Sequence, residues 1–516
     1  MNTITSSDLI LLNTQTIRDL EASTFNEIPH VNFIKKAGKA TADLSKQLIK
    51  KKTLPVLILA GPGNNGGDAC ATAAELAKDG YSVIVVLCAD PEKYSADGKK
   101  AFDKALSRKV IFKNNDAMDE LVKLDFSIII DGLFGIGLKR AISGVYERVI
   151  SKVNHLAYQK QIFILSIDIP SGLNADTGVL ATDDEEKGIA VKADATITFI
   201  ANKPGLHTAN GKDYAGEVIV NDLGIQSPFT AESKFLLNHA CGFSFQLSER
   251  KQNSHKGSYG EVIVIGGAKG MVGASVLASR TALYAGAGKV NVSLLHPAID
   301  CDMLHPEIMY KDAQHLQMNE EIIVIGPGMG DSDVAKSVLS KTLSSEISLV
   351  IDADALNLIA ANDELQDLLI SRTAQSILTP HPLEAARLLQ VTAKEVQQDR
   401  CKAALRLADK FRCVVVLKGS GTIITNTEGQ LRINTSGNPG LATGGSGDVL
   451  AGLCGALLAQ GLNSFETAQL AVWLHGTAAD TLVEAGVGPI GMIASELPEA
   501  IRNCLNTFVE NQHVTN

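Results

Sequence analysis

What most constrains this chain is an alternation that runs from end to end. Short continuous runs of β-branched residues take turns with Ala- and Leu-rich stretches of helical period. A strand that is apolar on both faces must be covered on both faces, so the pattern dictates βα units and mostly parallel sheets with helices on either side. Strands are expected at residues 55–60, 82–88, 126–131, 161–167, 195–199 and 217–220, and again at 261–265, 289–294, 322–325, 349–352, 414–417 and 422–425. Residues 447–506 read as helices. With 516 residues the chain exceeds what one core supports. The stretch 224–233 is rich in turn formers and lacks periodicity, which places a boundary between two α/β halves near Ser227.

Composition removes several function classes. Lys plus Arg number 47 against 57 Asp plus Glu, a formal charge of −10, and aromatic residues make up only 5%. A nucleic-acid surface wants basic stripes and stacking rings, and neither is here. No apolar run approaches the roughly eighteen residues of a membrane span. The opening MNTITSSDLILLNTQTIRDLE has no basic segment before its short apolar stretch, so a cytoplasmic location is expected. Eight cysteines are scattered without a CxxC pair or zinc spacing and read as buried or incidental thiols. The acidic cluster 183–187 reads as a solvated loop.

In the first half, PVLILA runs into GPGNNGGD at Gly61 and then an Ala-rich helix, so Gly61, Gly63 and Gly66 match G-x-G-x-x-G in a strand-turn-helix context. Such a turn brings backbone N–H groups to a phosphate at a helix N-terminus, and it is equally a tight turn that needs glycine for shape alone. Asn64, Asn65 and Asp68 add side-chain oxygens that a plain dinucleotide turn does not need. Two further strand ends share this character, DGLFGIG at Asp131 and DIPSGLN at Asp168. Ligands of open α/β sheets bind beyond the carboxyl ends of strands, where these loops converge. Asn65, Asp131 and Ser171 offer hard oxygens to a cation, and Asp168 a carboxylate for proton transfer.

The second half lacks a P-loop. Instead, GNPGLATGGSGD at Gly437 opens a helix with bare glycines followed by Asp448. Amides at that helix start can hold charge developing on a transferring phosphoryl group while Asp448 takes a proton from the acceptor hydroxyl. LKGSGT at Leu417 brings Lys418 off a strand end, as a phosphate cradle or as a hairpin turn. TPHPLE at Thr379 fixes His381 between two prolines. DADALN at Asp352 and GPGMG at Gly326 are strand-end loops that complete such a pocket or merely cap helices.

Taken with KGSYGEVIVIGGAKGMVGA at Lys256, these motifs stand in one order across nearly the whole chain, and the chain resembles the bifunctional NAD(P)H-hydrate repair enzymes. The resemblance implies a Rossmann-like three-layer epimerase domain at residues 1–227 and a ribokinase-like α/β ADP-dependent dehydratase domain at 228–516. It implies that Asn64, Asn65, Gly66, Gly67 and Asp68 contact the hydrated nucleotide, NAD(P)HX. A second contacting loop is Gly135, Ile136, Gly137, Leu138, Lys139, Arg140 and Ala141. Asp168 is the acid or base, and Asn65, Asp131 and Ser171 hold potassium. In the dehydratase half it implies Ala274, Gly330, His381 and Asp448 at the hydrate, with Lys418, Gly419, Ser420, Gly421, Thr422 and Gly447 around ADP, and magnesium accompanying the nucleotide. A homo-oligomer is expected. Two positions depart from the family pattern, Ala69 after GGD and Leu383 after His-Pro, and neither removes a functional side chain.

The residues suit that chemistry. The damaged cofactor carries a hydroxyl on the ring carbon beside the nicotinamide nitrogen, and hydroxide leaves poorly. Phosphorylation of that hydroxyl across the glycine-rich helix start makes a leaving group. A ribokinase-like small-molecule kinase fused to a nucleotide-binding domain uses the same Gly-Ser-Gly-Asp and is the alternative. A nucleotide sensor with a silent catalytic half is a further one, against which Asp448 and its glycines argue.

Overall fold

The computed structural model describes residues 6–28, 30–138, 140–182, 188–225, 233–296, 298–316 and 321–514. The chain divides into two compact units, Met1–Ser233 and Lys234–Asn516. Ser227 and the acidic cluster 183–187 lie outside the described residues.

The first unit is built on seven strands: β1 (Val56–Ala60), β2 (Val83–Leu87), β3 (Ile111–Asn114), β4 (Ile128–Gly132), β5 (Ile164–Ile167), β6 (Ala195–Phe199) and β7 (Glu217–Asn221). All pair in parallel in the order β3-β2-β1-β4-β5-β6-β7. β1, β4, β5 and β6 are buried throughout, which is why their sequences are continuous apolar runs. The helix Val145–Lys160 packs Val149, Ile150 and Val153 onto Leu57, Leu59 and Ile129. The helix Gly63–Lys78 packs closely on β1 and β4. Chain order reverses between β1 and β4, and the register Ala60↔Gly132 sets the turn after β1 beside the loop after β4. That reversal is where a doubly wound sheet opens a crevice. β3 was not legible in the sequence, because it is an edge strand with mostly exposed residues and no apolar run.

The second unit holds ten strands: β8 (Phe235–Asn238), β9 (Glu261–Gly266), β10 (Lys289–Leu294), β11 (Met309–Asp312), β12 (Ile322–Ile325), β13 (Leu349–Ile351), β14 (Ser376–Leu378), β15 (Val414–Leu417), β16 (Ile423–Thr425) and β17 (Leu431–Asn434). Their order is β11-β10-β9-β12-β13-β14-β15-β16-β17-β8. Among the described strands only β16 runs antiparallel to both its neighbours. Strands β8, β11, β14 and β17 were not among those expected.

The expected C-terminal helices are Ser446–Ala459, Ser464–Glu484 and Leu497–Val514. The first is buried on all sides from Val449 to Leu458. It presses so closely on the helix Val272–Tyr284 that a Cβ on Gly452 would lie 2.0 Å from Ala278 O. This contact aims the start of Ser446–Ala459 at the strand ends. Among the described residues no helix is long and apolar enough to cross a membrane.

Candidate active sites

In the first unit β1 runs into Gly61, where a Cβ would lie 1.9 Å from Leu133 O, so only glycine lets the two loops meet. The helix then starts at Gly63, with no side chain bonded to its first amides. Pro62, Gly63, Asn64 and Asn65 line a cavity of about 960 Å³ that also takes in Asp68, Asp168 and the loop after β4. Free N–H groups at a helix start suit an anion. Of the loop expected to contact the nucleotide, Gly135, Ile136, Gly137, Leu138, Arg140 and Ala141 line the cavity, and Lys139 lies outside the described residues. Gly66 and Gly67 lie close against the protein, their Cβ positions falling 1.9 Å from Gly61 O and 2.9 Å from Ile34 Cδ1.

Asp168 follows β5 in a left-handed conformation, φ 68°, uncommon for a residue with a side chain. Its Oδ1 lies 2.8 Å from Nζ of Lys203, which is itself buried and also donates to Thr198 Oγ1 at 2.7 Å and Phe199 O at 3.0 Å. Asp168 Oδ2 and Asn65 Oδ1 approach the same spot from two sides, 3.2 and 3.4 Å from a Cβ built on Gly135. Two more carboxyls face the cavity, Glu21 and Asp68. Burial pushes both above the ordinary carboxyl value, and the charge on Asp168 adds to the effect.

Asp131 and Ser171 are fully buried behind the cavity and bound to each other. Asp131 Oδ1 accepts from Ser171 Oγ at 2.7 Å and Leu133 N at 3.2 Å, and Oδ2 from Ser166 Oγ and Ser171 N, each at 2.9 Å. Burial raises this carboxyl and the hydrogen bonds pull it back. Asn65 is also buried, and among the described residues its Nδ2 has no hydrogen-bond partner.

In the second unit Gly445 adopts φ 93° and turns the chain into the helix Ser446–Ala459, whose first amides carry no side-chain cap. Asp448 stands in that first turn. Burial, reinforced by Asp352 and Asp354 and opposed by Lys418, pushes its carboxyl up to about 7. Lys418 leaves the end of β15 and places Nζ 2.7 Å from Asp352 Oδ1, which Thr379 Oγ1 also reaches at 2.8 Å. Burial would lower the Lys418 ammonium, but Asp352, Glu384 and Asp448 outweigh it and raise it. Nζ also lies 3.2 Å from a Cβ built on Gly447, so the cation sits under the helix start.

Residues 418–422 form the turn between β15 and β16, whose antiparallel register pairs Leu417 with Ile423, and Thr422 Oγ1 donates to Gly419 O at 3.1 Å. LKGSGT is therefore a hairpin turn that also delivers a lysine. Gly330 N donates to Asp354 Oδ2 at 2.8 Å, and Ala274 Cβ lies 3.2 Å from a Cβ built on Gly328, so these two expected contacts share a rim. His381 caps its own helix, Nδ1 accepting from Leu383 N at 3.1 Å and Glu384 N at 3.3 Å. Burial and then Lys418 lower its imidazole.

Sequence reasoning missed Glu21, Lys203, Glu384 and Arg400. Lys203 had a signal, since it comes after β6 as Asp168 comes after β5. Glu384 stood inside a quoted motif; burial first, then Asp352, pushes it up to about 7 against the pull of Lys418. Arg400, buried, donates to Leu417 O at 3.3 Å and Lys418 O at 3.2 Å and so holds the hairpin. Glu21 had no signal at all, being one acid on an amphipathic helix.

Comparison with known proteins matches both units. Residues 31–205 fit the family model described as YjeF-related protein N-terminus, and 262–503 the one described as NAD(P)H-hydrate dehydratase. The bifunctional NAD(P)H-hydrate repair enzyme Nnr of Coxiella burnetii is 35% identical over 96% of this chain and 99% of its own. That of Escherichia coli is 35% identical over 89% and 86%. Among solved structures, the ADP/ATP-dependent NAD(P)H-hydrate dehydratase of Bacillus subtilis, co-crystallised with ATP/Mg2+, is 30% identical, covering 51% of this chain and 95% of its own at a TM-score of 0.46.

Proposed function

The chain belongs to the bifunctional NAD(P)H-hydrate repair enzymes, and on that premise we propose how its residues divide the work. The first unit, Rossmann-like and assigned to residues 1–227, epimerises R- and S-NAD(P)HX. The second, ribokinase-like and assigned to 228–516, dehydrates the S epimer and converts ADP to AMP and phosphate. Membership in this family replaces the small-molecule kinase reading.

The observation that carries the dehydratase assignment is Asp448 in the first turn of an uncapped helix, its carboxyl near 7 beside the Lys418–Asp352 pair. A carboxylate poised near neutral pH takes a proton efficiently under working conditions. Asp448 removes the proton of the substrate hydroxyl, whose oxygen receives the terminal phosphoryl group of ADP over the amides of Ser446–Ala459. The nitrogen lone pair then expels phosphate, and the neighbouring ring carbon loses a proton to complete the double bond. Lys418, with Gly419, Ser420, Gly421, Thr422 and Gly447, borders the nucleotide, while Ala274, Gly330 and the exposed edge of His381 border the hydrate. Magnesium bound with the nucleotide would screen the charge of its phosphates.

In the epimerase, Asp168 moves the hydroxyl proton, and the uncapped start of Gly63–Lys78 takes the phosphates. Asn64, Asn65, Asp68 and the loop after β4 border the nucleotide, with Gly66 and Gly67 shaping the turn. Asn65 presents its Oδ1 near the loop after β4, Asp131 and Ser171 add further hard oxygens, and these three residues would hold potassium, supplying a fixed positive charge. A cytoplasmic setting and a homo-oligomer belong to the same proposal. The test mixes both NADHX epimers with ADP, potassium and magnesium and follows the return of reduced-nicotinamide absorbance. Recovery of both epimers with AMP formed in step supports the whole reading. Recovery of the S epimer alone removes the epimerase half, and no recovery removes both.

A further inference from the structure

Inverting a carbon that bears a hydroxyl and a ring nitrogen needs two proton-handling groups, one for the oxygen and one for the nitrogen. Asp168 accounts for one. The cavity of the first unit holds a second candidate that no motif announced: Glu21, projecting from the helix Thr14–Glu27 into the space that Asp168 lines. Among the described residues no hydrogen bond or ion pair occupies the Glu21 carboxyl, whereas Asp168 Oδ1 is committed to Lys203. The charged and titratable groups facing Glu21 are Arg18 one turn earlier, Asp68 on the helix Gly63–Lys78, Asp168 after β5 and Lys203 after β6.

We propose that Glu21 is the second acid–base group of the epimerase and serves the ring nitrogen while Asp168 serves the hydroxyl. This rests on the epimerase reading given above. Asp168 takes the hydroxyl proton, and the O–H electron pair becomes the second bond of a carbonyl. The carbon–nitrogen bond breaks, its pair goes to the nitrogen, and the nitrogen takes the Glu21 proton. Rotation about the adjoining carbon–carbon bond presents the other face of the aldehyde. The nitrogen then attacks that face, its proton returns to Glu21, and Asp168 returns its proton to the oxygen. Atoms and electrons balance, both carboxyls regain their starting states, and no co-reactant is needed. The environment suits the role, since burial and then the Asp168 charge raise the Glu21 carboxyl and keep its proton available at higher pH.

The experiment uses the full chain and measures interconversion of purified R- and S-NADHX without ADP, alongside ADP-dependent dehydration of the S epimer. Glu21→Gln is expected to slow interconversion roughly 100-fold or more and leave dehydration unchanged. Glu21→Asp restores part of the rate. The native enzyme loses epimerase activity at alkaline pH as Glu21 ionises, and the residual activity of Glu21→Gln lacks that limb. Native-rate interconversion by Glu21→Gln overturns the proposal, as does an unchanged alkaline limb. If Glu21→Gln loses both activities through misfolding, Glu21→Asp decides: a displaced alkaline limb supports the assignment and an unmoved one overturns it. Should Asp68→Asn alone abolish interconversion, the role passes to Asp68. A native enzyme that does not interconvert the epimers at all fails the epimerase reading itself.

Discussion

In the first unit the buried lysine grips the expected acid–base group, Lys203 on Asp168 at 2.8 Å. In the second it grips a neighbour, Lys418 on Asp352 at 2.7 Å, and Asp448 sits close by, pushed to about 7. Both sites use aspartates and lysines beyond the ends of parallel strands, so residue type does not separate them. What separates them is which carboxylate receives the cation. A carboxylate within hydrogen-bond distance of a lysine is held in one orientation, whereas burial and like charge raise Asp448 to about 7. Both proposed reactions take a proton from a hydroxyl, and the second site differs in leaving its base outside the lysine's short contact with Asp352.

That contrast can be broken most sharply by neutralising each aspartate. Asp448→Asn is expected to cost roughly 10²–10⁴-fold in ADP-dependent dehydration and nothing in epimer exchange, and Asp168→Asn the reverse. Chromatography of the two epimers together with absorbance recovery reads both variants, and a shared loss would erase the division of labour. Removing a cation instead tests what the pairing supports. Lys203→Met strands Asp168 in a partly buried position and should lower unfolding stability of the first unit by about 3–5 kcal/mol in denaturant titration, together with epimerase activity. Lys418→Met removes the charge that lowers Asp448. In the native enzyme dehydration should rise with pH through about 7 as Asp448 ionises, and in this variant the rise should move to higher pH. Packing supplies a smaller effect: Gly452→Ala drives a methyl into Ala278 O and should cost about 1–3 kcal/mol, displacing the helix start that carries Asp448.

The smallest effect concerns stability alone. The Asp448 carboxyl is higher folded, about 7, than its ordinary 3.8, so the folded state binds the extra proton. Its contribution to stability is fully present below about pH 4 and is lost as pH rises through about 7. Asp448→Asn escapes that loss, so its Tm should overtake the native value across this window by about 2–4 °C, for on the order of 1 kcal/mol. A constant difference between pH 4 and 8 would mean that Asp448 is not held in this way.

The amino-acid sequence by itself determined the α/β class, the two-part division and the strands buried on both faces, because double burial writes an uninterrupted apolar run. It also marked GPGNNGGD, DIPSGLN and GGSGD, because backbone that must approach backbone closely leaves glycine as the only choice, as at Gly61. The edge strand β3 stayed silent, since a mostly exposed strand needs no apolar run. Only the tertiary structure decided which lysine meets which aspartate, that Asp131 already takes four hydrogen bonds, that His381 caps its own helix, and that Glu21 looks into the cavity. Those outcomes depend on residues distant along the chain arriving within a few ångströms of each other, and electrostatic energy depends on that separation and on burial rather than on residue type.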